Sequence, residues 1–192
     1  ALVFLMTRTL KLPSHRLSID FFAALFHDLP EAVTRDIISP VKQATDSLPS
    51  IVKQIEAETV ESDLRPLMED LYADELMYFT GDEFENRILI ACDGGKNSVG
   101  SGNGGKNKVK TEKAVSFEQL NEQYNSDEFS PVDGRLVRVA DHIAAFVEAD
   151  SSIRYGITSS QLESGRKNLL ELYPEGKIIN GFEPASFFKS FL

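Results

Sequence analysis

Apolar residues in this chain recur at helical spacing along most of its length and almost never alternate, which restricts it to a mostly helical fold. The first ten residues read as a helix fragment that Pro13 and Ser14 break. Leu17, Phe21, Ala24 and Leu25 then form a stripe, capped by Ser18 or Asp20, that ends at His27-Asp28. Pro30 interrupts, a short turn of helix follows from Glu31 to Ile37, and Ser39-Pro40 stops it. Asp46 or Ser47 opens a long amphipathic helix to about Glu61 on Leu48, Ile51, Val52 and Ile55, and another helix covers roughly 65–79. Phe117, Leu120 and Tyr124 mark a short helix, and Pro131 to Gly134 read as a turn. A strong helix runs from about Arg135 to Asp150 on Leu136, Val139, Ala140, Ile143, Ala144, Phe146 and Val147. Ser159 or Ser160 opens a helix to Tyr173, and a last one from Pro184 carries Phe187, Phe188 and Phe191, expected to close the core.

Two stretches fall outside that pattern. Residues 88–92, Ile-Leu-Ile-Ala-Cys, suit a short strand or a helix end equally. Residues 94–108 are low in complexity, repeat the word Gly-Gly-Lys-Asn and hold half of the chain's 12 glycines. Such composition buries too little apolar surface to offset chain entropy, so it reads as a mobile loop. Its matches to phosphate-binding patterns, Gly100-x-Gly102-x-x-Gly105 and Gly100-x-x-x-x-Gly105-Lys106, are rejected. Asn107 stands where a P-loop needs Ser or Thr, and Val109–Ala114 shows no helical stripe to open a helix there. The expectation is one all-α domain over 1–192, a helical bundle with one flexible Gly/Lys/Asn-rich insertion. The chain opens in mid-helix, with neither an initiator Met nor an N-cap, and so reads as truncated at its start.

Charge and composition narrow the chemistry. A net charge of −10 argues against nucleic-acid coating or anionic-membrane binding, both led by phosphate neutralisation. No run approaches the ~20 apolar residues of a spanning helix. The single cysteine, Cys92, excludes an internal disulfide framework or a multi-cysteine zinc site and suits a reducing cytoplasm. With three histidines, His15, His27 and His142, any metal site must draw on these and on carboxylates.

His27-Asp28 is the sharpest feature. A charged side chain at the end of an apolar stripe is costly unless it is paired or metal-bound. Adjacent His and Asp offer nitrogen and oxygen ligands to one ion. Glu31 follows one helical turn later, and Asp36 lies further on. Asp141, within the mostly apolar 135–150 helix, is either a helix-edge residue in a salt bridge or a ligand facing inward. His142 lies 100° round that helix and reads as partly exposed or hydrogen-bonded, not ligating.

Together these residues resemble the HD-domain phosphohydrolases, most nearly the bacterial 5′-deoxynucleotidase branch. The resemblance rests on His27-Asp28-Leu29-Pro30-Glu31, Thr34-Arg35-Asp36, Pro40-Val41-Lys42 and the Asp-x-x-x-Ala-Phe-x-Glu-Ala run at Asp141 to Ala149. It implies an all-α fold and one divalent metal on His27, Asp28, Asp141 and a further upstream His, whose expected place falls just before Ala1. The mixed N/O ligand set suits Mn²⁺, Co²⁺, Fe²⁺ or Zn²⁺ more than Mg²⁺. For such a hydrolysis Glu31 is the candidate to orient or deprotonate the attacking water, and Asp36 to assist or hydrogen-bond the sugar. Arg35, Lys42 and Arg138 are candidate phosphate partners that suit surface salt bridges at least as well. Arg35 replaces the small residue usual in that branch. The implied reaction is phosphomonoester hydrolysis of a (deoxy)nucleoside monophosphate or similar small phosphate. An HD-type phosphodiesterase, a nucleoside triphosphohydrolase and a non-catalytic HD-like regulatory module are the alternatives. A homodimer is expected from the resemblance alone.

Overall fold

A computed structural model describes residues 1–34, 48–82, 84–92 and 109–191. Among these the chain is mostly helical with one small sheet, and it divides into two compact units. Ala1–Phe21 with Phe84–Leu192 form one, and Phe22–Glu83 the other.

The first unit is organised by a long helix, α7, and by a buried polar network. Its elements are α1 (Leu2–Thr9), the start of α2 (Ser14–Phe26), β1 (Asn86–Cys92), β2 (Val109–Ala114), α6 (Phe117–Glu122), β3 (Val132–Asp133), α7 (Gly134–Arg154), α8 (Ser160–Leu172) and α9 (Pro184–Phe188). Helices α1 and α8 pack on α7, whose Leu136, Val137, Val139, Ile143 and Phe146 are almost wholly buried. Ser159 caps α8 by accepting the Leu162 N–H at 3.2 Å. Phe188, 2% exposed, meets the Phe146 ring edge-on at 4.7 Å, and Phe191 reaches the same ring at 5.8 Å. The aromatic C-terminal segment thus closes this core.

Residues 88–92 resolve as strand. β1 lies at the centre of a three-stranded antiparallel sheet in the order β2-β1-β3, with Leu89 opposite Glu112 and Arg87 opposite Val132. The Pro131–Gly134 stretch, expected to be a turn, instead supplies β3 and the first residue of α7. β2, Val-Lys-Thr-Glu-Lys-Ala, is an edge strand whose lysines discourage pairing with another chain. Residues 93–108, which hold the low-complexity tract, lie outside the described residues.

The start of α2 corrects the expected face. Ser14 begins the helix, and Asp20, offered as a cap, sits inside it. Arg16, Asp20 and Ala23 take the buried side, at 0%, 0% and 1% exposure. Arg16 Nε donates to Asp133 Oδ2 at 2.9 Å and Nη2 to Oδ1 at 2.7 Å. Its Nη1 donates to Asn121 Oδ1 at 2.6 Å. The Asp133 N–H donates to Asp20 Oδ1 at 2.8 Å, and Asn180 Nδ2 donates to Asp133 Oδ1 at 3.1 Å and to Asn86 Oδ1 at 2.8 Å. Burial, then the Asp133 charge, hold the Asp20 carboxyl well above the usual range. Two acids and one guanidinium share this interior, so Asp20 keeps its proton to higher pH than an exposed carboxyl does.

The second unit contains the end of α2, α3 (Glu31–Thr34), α4 (Leu48–Thr59) and α5 (Asp70–Thr80). A π turn, Val60–Leu64, and a 3₁₀ turn, Arg65–Leu67, join α4 to α5, so the helix expected over 65–79 starts later. Phe22, Phe26 and Phe79 stack at centroid separations of 6.1 to 6.4 Å. Val52 and Val60 are buried, whereas Ile51 and Ile55 are about half exposed, so the expected α4 stripe is only partly covered.

Candidate metal centre and its surroundings

Stacking of Phe26 on Phe79 fixes the last turn of α2 and so sets where His27 emerges. The His27 N–H still donates to the Ala23 carbonyl at 3.0 Å, and a tight turn through Asp28, Leu29 and Pro30 leads into α3. The imidazole is 13% exposed and the Asp28 carboxylate 60%. His27 Nδ1 lies 3.1 Å from the Ala24 carbonyl oxygen, which can only accept, so the ring proton belongs on Nδ1. Nε2 is then the nitrogen that could hold an ion, and it lies 3.1 Å from Asp28 Oδ2. Metal-bound histidines usually donate their second ring N–H in this way. Two cis ligands each ~2.1 Å from one ion stand about 3.0 Å apart at a right angle, so the pair has the spacing of two neighbouring ligands. The donor set, one imidazole nitrogen and one carboxylate oxygen, fits a divalent transition metal. Glu31 follows one turn on, its N–H donating to the Asp28 carbonyl at 3.0 Å.

Asp141 stands on α7 in the other unit, half-buried. It makes no hydrogen bond or ion pair among the described residues. Arg138, one turn earlier, has no carboxylate partner among the described residues either, and its guanidinium lies 5.6 Å over the Phe84 ring. Arg35, Asp36 and Lys42 lie outside the described residues. Among the described residues no three His, Cys, Asp or Glu side chains gather closely enough to hold an ion. The pair His27-Asp28 is therefore brought together, with Glu31 beside it in the chain, and Asp141 is described separately.

Sequence reasoning missed the partner of His142. Its Nδ1 meets the Tyr173 hydroxyl at 2.7 Å, with the rings tilted at 60° and 5.7 Å apart. Burial lowers the His142 pKa, opposed by the Asp141 charge and assisted by Arg138. Burial likewise raises the Tyr173 phenol. No local signal joins residues 31 apart on two helices. The sequence reads His142 as partly exposed or hydrogen-bonded and names no partner for it.

The chain is thus mostly helical and places a His-Asp pair at a helix end. The family model described as HD domain matches residues 2–170, and the chain belongs to that family. HD domains are typically metal-dependent hydrolases. No curated protein and no solved structure matches the chain. Among the described residues no helix is long and apolar enough to cross a membrane.

Proposed function

We propose that this chain is a divalent-metal-dependent phosphohydrolase that cleaves the phosphomonoester of a (deoxy)nucleoside monophosphate or a similar small phosphate in the cytoplasm. The observation that carries the reading is the His27-Asp28 pair: Nδ1 committed to a backbone carbonyl, Nε2 facing Oδ2 at 3.1 Å. His27, Asp28 and Asp141 would hold the ion. When bound, that ion supplies Lewis-acid stabilisation of charge on the phosphoryl oxygens and makes a nearby water easier to deprotonate. Glu31 orients the attacking water and takes its proton, with Asp36 assisting. Arg138, together with Arg35 and Lys42, binds the phosphate oxygens; Arg138 suits this because no carboxylate among the described residues neutralises it. The net charge of −10 makes such local cations necessary for an anionic substrate.

The test is phosphate release by the full chain with Mn²⁺ or Co²⁺ from a panel of nucleoside monophosphates. Asp28→Asn should abolish release while the circular dichroism spectrum is unchanged. Glu31→Gln should lower kcat by about 10²–10⁴-fold. Undiminished release by Asp28→Asn would overturn the site, and ring-opened or polyphosphate products would point to the diesterase or triphosphohydrolase reactions instead.

A further inference from the structure

The α7 face around Asp141 carries a hydrogen-bonded pair that the metal chemistry does not use. Arg138, Asp141 and His142 stand at i, i+3 and i+4, so the three side chains are neighbours on one turn of α7. Tyr173, at the C-terminal end of α8, is 6% exposed, and its hydroxyl sits 2.7 Å from His142 Nδ1. That contact is the hydroxyl's only hydrogen bond among the described residues. A phenol of so little exposure must place its proton on an acceptor, and Nδ1 is the acceptor in reach. If Nδ1 carried the proton instead, the phenol proton would be left without a partner among the described residues. The hydroxyl therefore donates, Nδ1 accepts, and the ring proton belongs on Nε2. Nε2 has no hydrogen-bond partner among the described residues and is not shut away from solvent.

We propose that His142 is a substrate-contacting residue whose Nε2–H, fixed in that tautomer by the Tyr173 hydroxyl, donates a hydrogen bond to an oxygen of the phosphorylated substrate beside Asp141 and Arg138. Tyr173 is then a positioning residue acting through His142. The inference rests on the phosphohydrolase reading for the identity of the ligand, but the tautomer does not. An N–H donor beside a guanidinium suits a phosphate or sugar oxygen, which can only accept from it or, for a hydroxyl, accept as well as donate.

The experiment is long-range ¹H–¹⁵N correlation on the full chain with ¹⁵N-labelled histidine, His142 being assigned by its loss in His142→Gln. The diamagnetic ion Zn²⁺ and a deoxynucleoside 5′-monophosphate serve as probes, with saturation followed on the nucleotide's own ³¹P line. The expected result is the Nε2–H tautomer in the parent chain, a mixture of tautomers in Tyr173→Phe, and a shift of the His142 Nε2 resonance on nucleotide binding. Steady-state kinetics of His142→Gln should then show a roughly ten-fold rise in KM with a smaller change in kcat. An Nδ1–H tautomer in the parent chain overturns the inference. So does an unmoved Nε2 resonance while the ³¹P line reports a saturated site. A ³¹P line that never shifts is a different failure: it removes the phosphohydrolase reading and the contact with it, and leaves the tautomer as a property of the fold.

Discussion

Asp20 and Asp133 lie with one guanidinium in a fully buried interior, and the two carboxyls have opposite roles there. Asp133 takes three charge-assisted hydrogen bonds from Arg16, whereas Asp20 Oδ2 is buried with no partner among the described residues. Burial, reinforced by the Asp133 charge, raises the Asp20 pKa above its ordinary 3.8. The folded state therefore binds the proton more tightly than the unfolded chain does. Its contribution to stability is fully present below pH 3.8 and is lost as pH rises through the raised folded value. Asp20→Asn keeps an oxygen for the Asp133 N–H and replaces the acid with a neutral group. Urea titrations from pH 4 to 9 should show a stability as high as the parent's or higher at the alkaline end, and a flatter pH dependence; a loss equal at every pH would refute the raised pKa. Asp133→Asn should behave in the opposite way, costing about 3–5 kcal/mol, because it strands a buried guanidinium. None of this was legible in the sequence. Arg16 and Asp133 are 117 residues apart, and a reading of apolar periodicity assigns Arg16 and Asp20 to the wet side of α2.

At the level of elements, legibility followed locality. α7 and α8 emerge within a few residues of their expected ends, because an apolar face and a Ser cap are signals written within one or two turns. The sheet was the harder part: β1 is an apolar run without alternation, and β2 is an exposed, charged edge, so pairing between distant segments decides both. The close approach at the start of α7 is also non-local. A Cβ built on Gly134 would stand 2.2 Å from the Glu85 carbonyl oxygen, a backbone atom that cannot rotate aside. Gly134→Ala should therefore lower the urea midpoint by the equivalent of about 1–3 kcal/mol or more, by pushing α7 off the strand. Gly165, inside α8, has nothing within 4 Å of the same added carbon. There, Gly165→Ala should raise stability by roughly 0.5–1 kcal/mol through the unfolded chain's lost freedom. Two shifts of the same sign would contradict the contact geometry of one site or the other.

For the molecule as a whole, the legible part of the candidate site was the part contiguous in the chain. His27, Asp28 and Glu31 fall within five residues, so one helix end and one turn determine their relations. Asp141 could be nominated from its apolar helix but not tied to the pair, and the Tyr173 contact with His142 depends on how α8 lies on α7. Metal binding couples these residues to stability without requiring any turnover. An ion that binds only the folded chain adds about 2.7 kcal/mol at a concentration one hundred times its Kd. For a chain of 192 residues that corresponds to a rise in Tm of roughly 5–10 °C. Mn²⁺ or Co²⁺ should produce such a rise, and excess chelator should reverse it. Asp28→Asn and Asp141→Asn should each abolish it if each is an anionic ligand as proposed, whereas Arg138→Gln should leave it intact, since its proposed partner is the phosphate and not the ion. Retention of the full shift in Asp28→Asn would place the ion elsewhere. Retention in Asp141→Asn alone would keep the ion on the His27-Asp28 turn and exclude Asp141 from its ligands. The shift is read by calorimetry on apo and metal-loaded protein at one protein concentration, so that association between copies does not enter the comparison.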